Sequence, residues 1–136
     1  MTWVRVHLMA EPLAMRMARK QAAAAAVAVG ASDYDARRIE LAVGEALSNV
    51  RRHAYDSTPG PIEMEITHDG GRLAVAVHDE GKGLPFEPRF PGLPQAHTGG
   101  GGYGLYVIKE VVDDARIEHP GGKGRGTSVH MAILLR

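Results

Sequence analysis

The sequence predicts an α/β fold of the α+β type: a two-layer sandwich in which a mixed, mostly antiparallel five-stranded sheet carries about three helices on one face. The first observation is the order of the periodic segments, which runs strand, helix, helix, strand, strand, loop, helix, strand, strand. The second is the hairpin signal Asp69-Gly70-Gly71 between two alternating segments, which makes their pairing antiparallel. Because there are no repeats and 136 residues suit one compact domain, we expect a single domain over residues 1–136.

The first half of the chain holds one predicted strand and two predicted helices. Apolar and polar residues alternate over residues 4–8, which is the period of a half-buried strand. Residues 13–29 are rich in good helix formers and lie between Pro12, which suits a first helical turn, and Gly30, which suits a helix end. Ser32 is the predicted N-cap of a second helix that runs to about Ala54. The apolar face of that helix follows the helical repeat: Ile39, Ala42, Val43, Ala46, Leu47 and Val50.

The second half alternates short strands with one long loop. Residues 62–67 and 73–78 form the two arms of the hairpin, and the mixed Val and Ala content of the second arm indicates cover on both of its faces. A helix is predicted over residues 103–112, and strands over 116–119 and 129–135. Residues 81–102 contain seven Gly and four Pro in 22 positions. A loop of that length inside a compact domain is typical of a functional segment.

The composition argues against several classes of protein. Sixteen basic residues balance sixteen acidic ones, which favours neither a nucleic acid nor an anionic membrane as partner. The absence of cysteine excludes disulfides and thiolate metal sites. The longest apolar run, residues 22–29, is far short of the roughly 20 residues that cross a bilayer, and the N-terminus lacks the layout of a signal peptide. We therefore expect a cytoplasmic protein.

Polar residues on the second helix form the first candidate site. Glu45 and Asn49 lie about 40° apart around the helix, on the shoulder of its apolar face, and His53 continues the same line. An acid and an amide stacked on this rim can point into a cleft. Taken alone, such a pair is more often a solvated helix edge.

The end of the second hairpin strand is another candidate. Asp79 is followed by Gly81 and Gly83. An Asp at a strand end can accept a hydrogen bond from a ligand amine, and the glycines let the backbone pass close to that ligand. Alone, the segment is more typical of an ordinary turn.

Two further glycine-containing segments complete the candidates. The run Gly99–Gly102 leads into Tyr103, Gly104 and Leu105 at a helix start, where free N–H groups bind phosphate. A flexible linker is an equally good interpretation of the run by itself. Thr127 follows a glycine just before the final strand and can hydrogen-bond a ligand group, although a plain turn is the commoner explanation.

Together and in this order, the four segments resemble the nucleotide-binding boxes of the GHKL ATPases, the superfamily of gyrase-type ATPases, chaperone ATPases and histidine kinases. Within it, residues 44–55 look most like the bacterial anti-sigma-factor serine/threonine kinases, whose stretch reads Ser-Glu-Ala, then Asn, then His-Ala-Tyr or His-Gly-Tyr. The resemblance covers essentially the whole chain. Its segments are Glu45-x-x-x-Asn49 for the N box, Asp79-x-Gly81-x-Gly83 for the G1 box, Gly102-Tyr103-Gly104-Leu105 for the G2 box, and the terminal pair Gly126-Thr127.

The resemblance implies a site for ATP and Mg²⁺. Asn49 would be the Mg²⁺ ligand, Glu45 the general base, and Asp79 the acceptor of the adenine amino group, with Thr127 beside it. Residues 81–102 would be the ATP lid, in which Arg89 and His97 are the possible phosphate contacts without a secure alignment to the family. The other implied nucleotide contacts are His53, Gly81, Gly83, Gly100, Gly101, Gly102, Tyr103, Gly104 and Leu105.

The family reaction moves the γ-phosphate of ATP to a Ser or Thr of an anti-anti-sigma (STAS-type) protein. The resemblance therefore implies an ATP-dependent serine/threonine kinase and anti-sigma factor that sequesters a sigma factor and forms a homodimer through the sheet side. Two alternatives stay open: an ATP-binding module that sequesters a partner without phosphotransfer, and a histidine-kinase-type catalytic domain acting in trans. Glu45 speaks against the second, because that family often carries Asn or His at this position.

Overall fold

A computed structural model describes residues 2–81, 103–118 and 126–135. Its elements follow one another in the predicted order, and three helices with a five-stranded sheet confirm the α+β sandwich. The elements are β1 (Thr2–Met9), α1 (Pro12–Ala28), α2 (Asp33–Asn49), a π-helical turn (Val50–Ala54), β2 (Pro61–Asp69), β3 (Arg72–Asp79), α3 (Tyr103–Val111), β4 (Asp114–Glu118) and β5 (Thr127–Leu134).

The sheet has the strand order β1-β2-β3-β5-β4, and each of these four pairings is antiparallel. The β2–β3 hairpin turns where the sequence predicts it, with Gly70 at a φ of 60°. Strand β5 lies between β3 and β4, and its register pairs Thr127 with Asp79. The C-terminal end of β3 therefore lies beside the start of β5, although the two are far apart in sequence.

One face of the sheet is apolar, and the helices pack on it. The two-residue period of a strand places Val6, Met64, Val77, Val129 and Ile117 in a single row that crosses all five strands. All of them except the partly buried Val6 are buried in the core. Helix α2 contacts both β3 and β5 over this row, so it forms the centre of the helical layer.

Helix α1 reaches α2 through a stripe of small residues. Ala18, Ala22 and Ala26 recur every four positions, and all three are buried. Because these side chains are short, the two helix backbones can approach closely. Gly30 follows the helix at a φ of 99°, which is the left-handed conformation expected of a helix stop.

The start of α2 is fixed by a cap and by an ion-pair network. The Ser32 side chain accepts a hydrogen bond from the Asp35 amide at 3.1 Å, as its N-cap position predicts. The Arg38 guanidinium then donates to Asp35 and to Asp113, each at 2.8 Å, and its Nε donates to the Val111 carbonyl at 2.8 Å. These bonds tie the first turn of α2 to the end of α3.

The end of α2 differs from the prediction of one continuous helix to Ala54. The last five residues form a π-helical turn, which the Tyr55 amide closes by donating to the Val50 carbonyl at 3.3 Å. The Arg51 Nε donates to the carbonyl of Ala10, before α1, at 3.1 Å. Such wide turns occur mostly as short segments near functional sites, and here a tertiary contact accompanies the change of pitch.

The opposite sheet face has no helix over it among the described elements, which corrects the expectation that both faces of β3 are covered. Ala74, Ala76 and His78 on this face are only half-buried, whereas their neighbours on β3 are buried. The small alanines of β3 leave room for long polar side chains of adjacent strands, and this explains the mixed Val and Ala content. None of the described helices is both long enough and apolar enough to span a bilayer.

Candidate active site

The last turn of α2 carries the first two predicted site residues. Asn49 is buried, with 5% of its surface exposed, and Glu45, one turn earlier, is half-buried. A buried amide does not fit the solvated helix edge that was the commoner interpretation of the pair alone. Both side chains offer oxygen atoms, the donor type that Mg²⁺ prefers.

The first turn of α3 packs directly against Glu45. A Cβ atom added to Gly104 would lie 3.1 Å from the Glu45 Oε2 and 3.6 Å from an Arg52 guanidinium nitrogen. The structure thus brings the carboxylate of α2 to the amino-terminal end of another helix, where unpaired backbone N–H groups attract anions. Leu105 anchors that helix, since its side chain is fully buried in the core.

The end of β3 is held by hydrogen bonds around Asp79. The Asp79 Oδ1 accepts from the Gly81 amide at 2.9 Å, and the Gly126 amide donates to the Gly81 carbonyl at 2.8 Å. Gly126 has a φ of 81°, and a Cβ there would overlap the Asp79 carbonyl oxygen. A Cβ on Gly81 would come within 2.5 Å of the Ala54 carbonyl oxygen. Close backbone approach, rather than turn chemistry alone, therefore requires glycine at both positions.

Thr127 lies opposite Asp79 in the β3–β5 register. Both are buried, with exposed fractions of 4% and 8%. The Thr127 Oγ1 has no hydrogen-bond partner among the described residues. A buried hydroxyl without a partner is costly, so this atom is suited to a ligand that supplies the missing bond.

Most of the remaining predicted residues lie outside the described part of the chain. His53 is half-buried within the π-helical turn, four residues after Asn49. Gly83, Gly100, Gly101 and Gly102 lie outside the described residues, as do Arg89, His97 and the rest of the predicted lid beyond Gly81. Tyr103 begins α3.

Sequence reasoning missed two residues that contribute to this region. The Tyr55 hydroxyl accepts from the Glu80 amide at 2.8 Å and donates to the Pro61 carbonyl at 2.7 Å, which connects the β3 end to the start of β2. Burial raises the pKa of this hydroxyl, and the nearby Asp79 carboxylate acts in the same direction. Arg52 contributes the guanidinium next to Gly104. The signal that could have found them is their position three and six residues after Asn49 in the same polar stretch.

Comparison with known proteins identifies the family of this chain. Residues 8–133 match the family described as the histidine kinase-like ATPase domain. The chain is 27% identical over 128 residues to the serine-protein kinase RsbW of Bacillus velezensis, which covers 88% of this chain and 80% of the relative. It is 31% identical over 106 residues to the alginate biosynthesis sensor protein KinB of Pseudomonas aeruginosa, which covers 73% of this chain and 18% of that protein.

A solved structure has the same fold over nearly the whole chain. The crystal structure of the RsbU and RsbW domains of a Mycobacterium tuberculosis protein superposes with a TM-score of 0.71 at 25% identity, covering 99% of this chain and 33% of that one. The family match spans most of the sequence. The chain belongs to the histidine kinase-like ATPase domain family.

Proposed function

We propose that this domain is an ATP-dependent serine/threonine protein kinase and anti-sigma factor of the cytoplasm. It transfers the γ-phosphoryl group of ATP to a Ser or Thr of an anti-anti-sigma (STAS-type) partner and sequesters a sigma factor. Glu45 is its general base, Asn49 its Mg²⁺ ligand, and Asp79 with Thr127 its adenine-binding pair. The names of the RsbW relatives, which are serine-protein kinases, support the choice of a hydroxyl acceptor.

The observation that carries the proposal is the contact between Glu45 and the first turn of α3. A Cβ on Gly104 would lie 3.1 Å from the Glu45 Oε2 and 3.6 Å from an Arg52 guanidinium nitrogen, so both groups lie next to this turn. A helix start attracts phosphate, and an arginine next to it adds positive charge. A carboxylate at that same point is repelled by phosphate, so its presence is better explained by a role with the attacking hydroxyl than by phosphate binding.

The Asp79–Thr127 pair, at the end of β3 and the start of β5, suits an adenine ring. The exocyclic amino group of adenine is a donor, and the Asp79 carboxylate is an acceptor. The Thr127 hydroxyl can both donate and accept, so the orphaned Oγ1 can pair with a ring nitrogen. Gly81 and Gly126, hydrogen-bonded to each other at 2.8 Å beside this pair, carry no side chain that would keep a flat ring from their backbone.

The chain's own residues account for the reaction. The oxygen of the partner's Ser or Thr attacks the γ-phosphorus, its proton passes to the Glu45 carboxylate, and the bond from the γ-phosphorus to the bridging oxygen breaks. ADP leaves with the electron pair of that bond. Mg²⁺, when bound through Asn49, supplies neutralising charge for the phosphate oxygens. Arg52 and the N–H groups of α3 hold those oxygens in line with the incoming hydroxyl.

One incubation tests the activity. Labelled ATP, Mg²⁺ and the co-encoded STAS-type protein are mixed with the domain, and the label on the partner is tested for acid stability. We expect an acid-stable phosphate. Glu45→Gln should lower the transfer rate by about 10²- to 10⁴-fold while the Kd for ATP changes little. Glu40→Gln is the matched control, because Glu40 lies on the same helix but pairs with Arg19 and Lys20.

The outcomes separate the candidate functions. Full transfer by Glu45→Gln would refute the base assignment. Tight ATP binding without transfer to the partner would favour a module that sequesters its partner and has no kinase activity. The other alternative is a histidine-kinase-type domain, which the similarity to the sensor protein KinB supports. An acid-labile phosphate on the partner would favour this alternative.

A further inference from the structure

Two histidines and two glutamates meet on the open face of the sheet, away from the helices. The strand registers place His7 of β1 and His78 of β3 on either side of Glu63 of β2. Glu65 lies two residues further along β2 and therefore on the same face. One ligand atom from each of Glu63, Glu65 and His78 lies within 4.8 Å of the other two. The His7 Nε2 is 3.6 Å from the Glu63 Oε2.

His78 is oriented by a buried residue outside this group. Its Nδ1 lies 2.5 Å from the Oγ of Ser128, which is only 2% exposed on the neighbouring strand β5. When Nδ1 donates this bond, Nε2 carries the lone pair, and Nε2 is the atom that faces Glu65, 3.4 Å from its Oε1. A metal-binding histidine is commonly held in this way through its other ring nitrogen.

The two carboxylates are close enough to need a shared positive partner. Arg5 pairs with both carboxylates from one side, 3.7 Å from Glu63 and 3.8 Å from Glu65. The two carboxylate oxygens and the His78 ring nitrogen still converge within 4.8 Å of one another, which is a spacing that a cation can draw together.

We propose that Glu63, Glu65 and His78, with His7 as the fourth ligand, bind a divalent cation of the zinc class. Two imidazole nitrogens and two carboxylate oxygens form a tetrahedral donor set of the kind zinc accepts, with bonds of about 2.0–2.2 Å. Mg²⁺ and Ca²⁺ prefer sites made of oxygen alone. Glu63, Glu65 and His78 must draw together by roughly 1 Å to reach tetrahedral spacing. Their side chains are 21–31% exposed and that of His7 is 71% exposed, which leaves room for the rotation.

The position of the group gives the cation access and a structural effect. It lines an open groove of about 440 Å³ that extends to Asp79 and Glu80, so an ion reaches it from solvent. A bound ion would connect β1, β2 and β3 across their open face. His78 and Asp79 are adjacent on β3 and point to opposite faces, so the cation site and the candidate adenine pair lie on opposite sides of one strand.

Zinc titration of the metal-stripped, nucleotide-free protein tests the site. We expect one Zn²⁺ per chain by calorimetry, a rise in Tm on zinc addition, and visible absorption bands of tetrahedral Co²⁺. Glu65→Gln and His78→Gln should each weaken zinc binding at least about tenfold, and Ser128→Ala by about 10- to 100-fold. His68→Gln is the matched control, since it removes a histidine from the same strand that lies outside the group.

All three glutamine replacements keep the approximate size of a half-buried side chain, so the variants should fold. Circular dichroism of each variant checks this. Zinc affinity that is equal in the native protein, Glu65→Gln and His78→Gln would overturn the proposal. An equal loss in His68→Gln would also overturn it, because binding would then not depend on this group. A Tm rise of the same size with Mg²⁺ would contradict the zinc-class donor set.

Discussion

Removing the Thr127 hydroxyl, which has no hydrogen-bond partner among the described residues, should stabilise the free protein but weaken its binding of nucleotide. Thr127→Val replaces the hydroxyl by a methyl group of similar size in a buried strand position. Without nucleotide, the native hydroxyl is buried with no partner among the described residues, so its removal should stabilise the fold. If Thr127 pairs with the nucleotide as proposed, the same change removes that contact and should weaken binding.

The magnitudes follow from the burial of this one atom. An unsatisfied buried hydroxyl costs about 1–3 kcal/mol, and we take the lower end of that range. A gain of ~1 kcal/mol in the free energy of unfolding corresponds to a Tm rise of roughly 3–5 °C for a domain of this size. Loss of a hydrogen bond worth about 0.5–1.5 kcal/mol raises the Kd for ATP by about 2- to 12-fold.

The assay needs only two measurements on three proteins. Thermal unfolding of nucleotide-free protein gives the Tm, and calorimetric titration with Mg-ATP gives the Kd, for the native chain, Thr127→Val and Thr127→Ser. The serine variant keeps the hydroxyl and should retain the native Kd more closely than valine does. A lower Tm together with an unchanged Kd for Thr127→Val would refute the reasoning, because the hydroxyl would then be satisfied within the protein and would not face the ligand.

Two further predictions concern the same strands. Gly81→Ala should destabilise the fold by about 1–3 kcal/mol in urea unfolding and weaken ATP binding, because the added Cβ meets the Ala54 carbonyl. Gly71→Ala is the control, since the nearest atom to its added Cβ is 3.8 Å away. The pKa of His130 is lowered, chiefly by burial and then by Arg116, so the unfolded chain binds a proton that the folded protein resists. The contribution of His130 to the free energy of unfolding should therefore be complete above pH about 6.5 and fall as the pH drops below it. Urea unfolding at about pH 7.5 and 5.5 measures this loss, which should be smaller in His130→Gln. An equal loss in the native protein and in His130→Gln would contradict the assignment.

Local sequence rules predicted most of the fold. The helical repeat of α2 and its Ser32 cap are determined by residues close in sequence, and so is the hairpin turn at Gly70. The same holds for the position of Asp79 at a strand end followed by Gly81. These features need no knowledge of distant contacts, which explains why a single sequence was sufficient to predict them.

Features that depend on distant contacts were not predictable in this way. The π-helical turn contains Arg51, which bonds to the Ala10 carbonyl across the chain. The Tyr55 hydroxyl joins Glu80 to Pro61, three positions that no periodicity relates. The prediction that both faces of β3 are covered was wrong, because it took the alanines of this strand as a sign of burial. In the structure these alanines make room for neighbouring polar side chains. In each case the partner, and not the local pattern, determines the outcome.

The register that joins Asp79 to Thr127 and the packing of Gly104 on Glu45 have a consequence for how this chain folds. Each contact joins segments that are far apart in sequence, so the candidate site is complete only after β5 and α3 have docked. A nucleotide bound at this site would therefore stabilise the finished domain and not its partly folded precursors. By mass action, ATP at about 100 times its Kd would stabilise the whole domain by ~2.7 kcal/mol. Resistance to proteolysis across the entire sheet, and not only near the candidate site, should thus rise with the concentration of ATP.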